Sequence, residues 1–151
     1  GGRGFSTSAG IGSSSGPGSR THLWEIALGA IGAGASGGQA SGNRWHVTTV
    51  MNARHTPYET IFAREVAAAT RRAGIGVADL PPLMRKLTPV LEAMSVEPGR
   101  DIRACYDLQG NRPLPCYLDL ARSVQRELAR EFGLDFGPAT QDQAGAEEVT
   151  A

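Results

Sequence analysis

The segment TPYETIFAREVAAATRRAG, residues 56–74, decides the fold class. It begins with a capping box, in which the Thr56 hydroxyl can accept the Glu59 backbone N–H while the Glu59 carboxylate reaches back to the Thr56 N–H. Pro57 stands at the first helical position, where its fixed φ suits a helix. The pattern therefore predicts a helix from Pro57 to about Ala73, with the following glycine as a left-handed C-cap.

Two short segments follow, and each begins with a capping residue and proline. Asp79, with two prolines close behind it, predicts the start of a second helix. Thr88 and Pro89 repeat the signal and predict a separate third segment, Val90–Met94. A loop rich in glycine and proline then leads to the last element.

That last element is predicted to be a helix from Cys116 to Phe132, ended by Gly133. Its apolar residues recur every three or four positions, as on one face of a helix. Together with the helix after Thr56, it predicts a mainly α fold, either a small helical bundle or a helical hairpin. An extended, low-complexity N-terminal arm and a polar C-terminal tail complete the expected architecture.

Composition divides the chain into four parts. Residues 1–20 are dominated by glycine and serine, which bury too little apolar surface to offset the entropy of ordering, so we expect a disordered, presequence-like leader. Residues 21–42 predict a short apolar helix rich in glycine and alanine, followed by a linker. Residues 43–137 form the expected helical body, in which residues 44–50 predict a weak strand or an extended arm. The polar residues 138–151 predict a flexible tail.

The apolar segment at residues 21–36 is the predicted contact with a partner or a membrane. It is shorter than the roughly 20 apolar residues that a membrane-spanning helix needs. Small residues four apart, such as Gly29 with Ala33, are typical of helices that approach each other closely in a membrane. The alternative is a helix weakened by glycine that docks on a neighbouring helix. The side chains expected to contact a partner subunit or the bilayer are Leu23, Trp24, Ile26 and Ile31.

The first residues indicate import into an organelle. Residues 3–6 read Arg-Gly-Phe-Ser, which resembles a mitochondrial processing site with cleavage after Phe5. The leader is rich in serine, contains Arg3 and Arg20, and has no acidic residue before Glu25, as is typical of import signals. We therefore expect a mitochondrial location, with the chloroplast as the alternative. A flexible leader without targeting function is the simplest other interpretation.

Charge and motif content argue against nucleic-acid binding and catalysis. The chain has 15 basic and 15 acidic residues, whereas contact with a nucleic-acid backbone normally needs a surplus of Lys and Arg. His22, His46 and His55 have no partner at helical spacing, so they predict no metal site. No paired carboxylates stand in an apolar context, so we expect no acid–base couple, no catalytic residue and no cofactor.

Two glycine-containing strings formally match functional motifs. Gly32–Gly37 matches the dinucleotide-binding string, but that motif acts between a strand and a helix, and no strands rich in Val and Ile follow it. Gly12–Gly16 matches the nucleophile elbow of hydrolases, but it lies in the leader, where no flanking strand is predicted. We interpret both strings as consequences of a glycine-rich composition.

Cys105 and Cys116 are the two cysteines, and ten residues separate them. The pair resembles the paired-cysteine helical hairpins of small proteins of the mitochondrial intermembrane space. Those families carry two cysteine pairs and this chain carries one, so the resemblance covers only about residues 100–132. A disulfide between Cys105 and Cys116 would contribute roughly 2–3 kcal/mol by restricting the unfolded chain. The alternative is two free thiols in a reducing compartment.

These observations lead to one functional expectation and two alternatives. We expect an accessory, scaffolding subunit of a mitochondrial inner-membrane complex, in the respiratory chain or ATP synthase, without catalysis of its own. Its partners would be other protein subunits, with membrane contact through residues 21–36 and no direct contact with nucleic acid. The first alternative is a small soluble thiol or redox protein or enzyme that uses Cys105 and Cys116. The second is a mitochondrial ribosomal protein.

Overall fold

The computed structural model describes residues 9–37, 45–49 and 55–138. Helices dominate these residues, which confirms the mainly α prediction. The predictions made for the leader before residue 9 and for the tail after residue 138 lie outside the described residues. The α-helices are α1 (Arg20–Ala35), α2 (Pro57–Arg72), α3 (Leu80–Glu92) and α4 (Pro115–Phe132).

Short strands and turns connect the helices. Two strands, β1 and β2, flank α1, and a minimal hairpin, β3 and β4, precedes α4. Single 3₁₀ turns lie before α3, at Val77–Asp79, and before β3, at Ile102–Ala104. The strands are β1 (Ala9–Ser13), β2 (Trp45–Thr49), β3 (Tyr106–Asp107) and β4 (Arg112–Pro113).

The first half of the chain forms a β–α–β unit. β1 and β2 pair in parallel, with Ala9 opposite Trp45 and Ser13 opposite Thr49, and α1 lies in the crossover between them. Two adjacent parallel strands need such a crossover because the chain must return to the end of the sheet where the first strand began before the second strand can start. Of the weak strand or extended arm expected over residues 44–50, the strand is therefore confirmed for Trp45–Thr49, and its partner is a strand that the sequence did not indicate.

The disorder predicted for the leader is wrong from residue 9 onward. Residues 9–13 form β1, and the loop from Ser15 to Ser19 is buried. The Gly16 N–H donates to the Glu97 carbonyl at 2.8 Å, and the Arg100 N–H donates to the Pro17 carbonyl at 2.8 Å. Small residues allow this close pairing of backbones, so the segment is ordered by hydrogen bonds to another loop rather than by apolar side chains of its own.

The two longest predicted helices begin and end almost where the sequence indicates. The Thr56 capping box is present, and α2 ends one residue earlier than expected. α4 begins at Pro115 instead of Cys116 and ends before Gly133, whose φ of 69° lies in the left-handed region. Caps act through neighbouring residues, so local sequence is sufficient to locate them.

The prediction of two separate segments between residues 79 and 94 is wrong, because α3 is one helix that continues through Pro89. A proline inside a helix removes one backbone hydrogen bond. Here the ring of Pro89 is exposed, while the helix buries Leu87 and partly buries Val90 and Leu91. Continuing the helix keeps these apolar contacts.

The core lies around α1. This helix packs most extensively on α2 and also contacts β1, α3 and α4. A Cβ added at Gly34 would lie 2.7 Å from the Ala67 carbonyl oxygen, and one added at Gly29 would lie 2.8 Å from Ile11 Cγ2. The small residues of α1 therefore let α2 and β1 pack closely against it. This agrees with the alternative in which the helix docks on a neighbouring helix. None of the described helices is long and apolar enough to cross a membrane.

Candidate functional site

A cluster of polar side chains lies where β1 ends and α1 begins. The carboxyl ends of parallel strands are the usual location of ligand sites in proteins with β–α–β units. The cluster joins residues that are far apart in the sequence, and its members are Ser13, His22, Glu25, Thr56, Glu59 and Tyr117.

Glu25 holds the loop that follows β1. Its Oε2 accepts the Ser13 hydroxyl at 2.5 Å, the Ser14 N–H at 3.1 Å and the Ser15 N–H at 3.0 Å. Adjacent backbone N–H groups that point at one oxygen form a concavity that binds anions. In this protein the anion is a carboxylate of α1, so the loop is bound to the helix that it precedes.

His22 lies at the centre of the cluster and is completely buried. Its Nδ1 is 2.7 Å from Ser13 Oγ. Its Nε2 has no hydrogen-bond partner within the described residues, and Glu59 Oε1 lies 3.7 Å away on that side. The imidazole ring therefore separates Ser13 from a buried carboxylate.

Glu59 connects three helices through one carboxylate. It accepts the Thr56 N–H at 2.5 Å and the Thr56 hydroxyl at 2.6 Å, which completes the cap of α2. It also accepts the Tyr117 hydroxyl of α4 at 2.5 Å and faces His22 of α1. Burial by itself would raise the pKa of Glu59, but the facing His22 imidazole and the hydrogen bonds from Thr56 and Tyr117 lower that pKa below its ordinary value. The fold therefore stabilises the ionised carboxylate.

The pKa of Tyr117 shifts in the opposite direction to that of Glu59. Burial, together with the neighbouring Glu59 carboxylate, raises the pKa of the Tyr117 phenol. Its ring packs edge-on against Tyr58, with the ring centroids 5.4 Å apart. Tyr117 is thus a neutral hydrogen-bond donor that joins α4 to the cap of α2.

The order Ser13, His22, Glu59 resembles a hydrolytic triad, but Ser13 is placed as a structural residue. Only 3% of Ser13 is exposed, and besides Glu25 and His22 its Oγ contacts the Ser15 carbonyl at 3.0 Å and the Ser15 N–H at 3.2 Å. A nucleophile needs a base within reach and access to substrate. Ser13 has the first and lacks the second, so its hydroxyl connects β1, its loop and α1.

The two glycine-containing strings have different positions. Gly12–Gly16 begins inside β1, where no strand was expected, and it precedes α1. Its central residue, Ser14, is exposed, and His22 contacts Ser13 instead. Gly32–Gly37 ends α1, so it does not form the strand-to-helix turn of a dinucleotide site.

The two cysteines are free thiols in the structure, which is the second of the two alternatives that the sequence left open. Cys105 is buried, with its Sγ 3.4 Å from the Ile102 carbonyl. Cys116 is exposed in the first turn of α4 and lies 3.7 Å from the Ala104 carbonyl. Burial, with a smaller contribution from the Glu59 charge, raises the pKa of Cys105 to about 11. A redox dithiol normally contains a low-pKa thiol, and Cys105 is the reverse.

The apolar residues expected at a partner or membrane contact lie in the core of this chain. All four side chains of this set are at most 2% exposed. Trp24 packs edge-on against Phe132, with the ring centroids 5.8 Å apart. α1 is apolar around most of its circumference, and neighbouring elements of the same chain cover it. A helix that is apolar on all sides is normally buried in this way. The residues are Leu23, Trp24, Ile26 and Ile31.

The chain matches no protein-family model, no curated protein and no solved structure. Its candidate site is therefore described by its own geometry. Within the described ranges, no three residues among His, Cys, Asp and Glu are grouped to hold a metal ion. His55 is exposed, and the side chain of His46 lies outside the described part.

Two surface grooves lie next to the cluster and the core. The α1–α3 groove, of about 320 Å³, is lined by Gly12, Thr21, Glu25, Leu28, Leu91, Met94 and Val96. The α3–α4 groove, of about 410 Å³, is lined by Trp24, Arg85, Lys86, Pro89, Val90, Glu127, Arg130, Glu131 and Phe132.

Sequence reasoning missed the polar cluster. One signal for it was available, because Glu25 is an acidic residue inside an apolar helix and such a residue needs a polar partner. The partners themselves were not predictable, since Ser13 and Glu59 are brought to His22 only by tertiary packing.

Proposed function

We propose that this chain is an accessory, scaffolding subunit of a larger protein assembly and performs no catalysis of its own. The observation that carries the proposal is that, within the described part of the chain, no residue covers β1 at Gly12. Parallel sheets are normally covered on both faces. Ile11 of β1 packs on Gly29 of α1, whereas the next residue, Gly12, is exposed and has no atom within 4 Å of its Cβ position. A partner that covers this face would complete the sheet.

The polar cluster supports the non-catalytic part of the proposal. Its hydrogen bonds connect β1, α1, α2 and α4, and its serine is buried and fully engaged. Cys105, the buried thiol of the alternative redox function, has a raised pKa. These features favour a role in holding a shape.

The proposed setting is a mitochondrial inner-membrane complex of the respiratory chain or ATP synthase, where the partners are other protein subunits. Its support is the presequence-like pattern at residues 3–6 and the balanced charge of the chain. Fusion of residues 1–20 to a fluorescent protein tests this setting. We expect mitochondrial fluorescence that is lost when Arg3 and Arg20 are both replaced by glutamine. A cytosolic signal from the unsubstituted fusion would reject the setting and leave the assembly role to its own test.

Gly12→Val tests the assembly role. A side chain at residue 12 meets open space, so we expect the free energy of unfolding of the isolated chain to change by less than about 1 kcal/mol. In native electrophoresis of cell extracts, the unsubstituted chain should migrate in a large complex, and Gly12→Val should release a substantial fraction of it.

Two controls define the result. Val77→Thr, at an exposed position in the turn before α3, should change neither stability nor migration. Gly29→Val should unfold the chain by collision with Ile11, which distinguishes loss of fold from loss of a contact. Migration of the unsubstituted chain alone, at its mass of 15.8 kDa, would overturn the assembly role.

A further inference from the structure

The α1–α3 groove reaches β1 at Gly12. Gly12 is one of its lining residues, and no described atom lies within 4 Å of its Cβ position. Thr21, Glu25 and Leu28 form one wall, and their spacing of four and three residues places them on one face of α1. The opposite wall comes from the end of α3 and the residues after it. The groove therefore extends the proposed contact surface to a space between two helices.

Most of this lining is apolar. Leu28, Leu91 and Met94 are partly exposed, and Val96 is 55% exposed at the rim. Apolar side chains that converge on an open groove of about 320 Å³ leave room for a few side chains of another polypeptide. Amphipathic helices bind grooves of this kind through apolar residues on one face.

The charge of the groove is negative. Among the described residues that line it, Glu25 alone is charged. The Oε2 of Glu25 accepts three hydrogen bonds from Ser13, Ser14 and Ser15, whereas no donor within the described chain reaches its Oε1. At the same end, Glu97 binds Thr21 through its Oε1. An incoming basic side chain can therefore pair with Glu25 without displacing the loop.

We infer that the α1–α3 groove docks an amphipathic helix of a partner subunit, with an Arg or Lys of that helix paired to Glu25. The inference rests on the proposed assembly role and names the chemistry of the partner. Apolar residues of the helix lie against Leu28, Leu91 and Met94, and the cation reaches the free carboxylate oxygen. Opposite charge across the groove selects against acidic helices, since like charges brought together are unfavourable.

Photo-crosslinking within the native assembly tests the occupant directly. A benzoylphenylalanine replaces Val96 at the groove rim, and the matched control replaces Val77, which is 61% exposed and does not line the groove. We expect position 96 to crosslink a different polypeptide, with an Arg or Lys within one helical turn of the linked residue. A crosslink to a second copy of this chain, to an acidic segment, or no crosslink at position 96 would overturn the inference.

A peptide series tests the charge. The probes are three 15-residue helical peptides of alanine and leucine that differ only in one central residue, Arg, Gln or Glu. We expect the Arg peptide to bind the isolated chain about three- to tenfold more tightly than the Gln peptide at low salt, and the Glu peptide to bind most weakly. Glu25→Gln should remove the difference between Arg and Gln. Equal affinities for all three peptides on the unsubstituted chain would overturn the pairing.

Loss of loop structure in Glu25→Gln would complicate that comparison, so Leu91→Glu provides a second variant. It places a charge on the wall opposite Glu25 and leaves the bonds to Ser13, Ser14 and Ser15 unchanged. Leu91→Glu should lower the affinity for the Gln peptide at least threefold. An unchanged affinity would mean that the peptide binds outside the groove. If the chain migrates alone in native electrophoresis, the assembly role is overturned. If the chain assembles but position 96 does not give the expected crosslink, only the inference about the groove is overturned.

Discussion

The helices α1 and α3 differ in how they use their surface. Ten of the 16 residues of α1 are buried, whereas Leu87 is the single buried residue of α3. α1 contacts β1 and each of the other three α-helices, whereas α3 lies on the outside with one apolar face turned inward. The comparison teaches that a helix without a polar face is expected to be buried. The sequence of such a helix does not reveal whether its own chain, a partner or a lipid bilayer covers it.

Truncation of a core residue beneath α1 should produce the largest loss. Phe62 of α2 is completely buried in the core, so Phe62→Ala should lower the free energy of unfolding by about 3–5 kcal/mol, from lost burial and the cavity left behind. Urea denaturation of the isolated chain measures it. Ile61→Ala, one position away and 47% exposed, is the control and should cost less than about 1 kcal/mol. Similar losses at both positions would mean that α2 does not present this face to α1.

Glu59→Gln should lower the free energy of unfolding by about 3 kcal/mol at neutral pH. Gln does not supply the negative charge that faces His22 and accepts hydrogen bonds from Thr56 and Tyr117. The pKa of Glu59 is lowered in the folded chain. Its contribution is therefore complete above the unfolded pKa of about 4.3 and is lost as pH falls through the folded pKa.

The pH series provides the sharper form of this prediction. Urea denaturation between pH 7 and pH 3 should show the difference between the unsubstituted chain and Glu59→Gln shrinking below about pH 4. Glu92→Gln, at an exposed position near the end of α3, should follow the unsubstituted chain throughout. A constant difference at all pH values would mean that charge is not the reason for the effect.

Two glycines of α1 should respond in opposite directions to alanine. A Cβ at Gly34 would lie 2.7 Å from the Ala67 carbonyl oxygen, whereas a Cβ at Gly32 has nothing within 4 Å. We expect Gly34→Ala to destabilise by about 1–3 kcal/mol through overpacking. Gly32→Ala should stabilise by roughly 0.5–1 kcal/mol because alanine has the higher helix propensity. Equal effects in thermal denaturation would show that α1 and α2 are not closely packed at Gly34.

The smallest effect compares the two Thr-Pro pairs. Thr56→Ala should cost about 1 kcal/mol, because the Thr56 hydroxyl accepts the Tyr58 N–H and donates to Glu59. Thr88 is exposed inside α3 and caps no helix, so Thr88→Ala should be neutral or slightly stabilising. Equal destabilisation by the two substitutions would contradict the continuous α3.

The sequence predicted those features that depend on residues close together in the chain. The helix from Pro57 and the helix that ends before Gly133 were predictable because caps and apolar stripes act over one or two turns. The Thr56–Glu59 pair was predictable for the same reason. The other contacts of Glu59, with His22 and with the Tyr117 hydroxyl, were not predictable, since Tyr117 lies 58 positions further along the chain.

Glycine-rich composition misled the prediction at the start of the chain. Residues 9–19 have Ile11 as their single large aliphatic side chain, too few apolar side chains to indicate order, yet they form β1 and a buried loop. Their order comes from the parallel pairing with β2 and from backbone bonds to Glu97 and Arg100. No pattern local to residues 9–19 carries that information, because β2, Glu97 and Arg100 all lie more than 30 positions further along the chain.

By itself, the sequence determined the mainly α fold, the limits of α2 and α4, and the apolar character of α1. Those features follow from propensity, capping and periodicity, which act within a few residues. Only the tertiary structure decided what covers α1, which strand pairs with β2, and how Ser13, His22 and Glu59 come together. These features arise from contacts between distant segments, and their stability depends on burial and hydrogen bonds that exist only once the whole chain has packed.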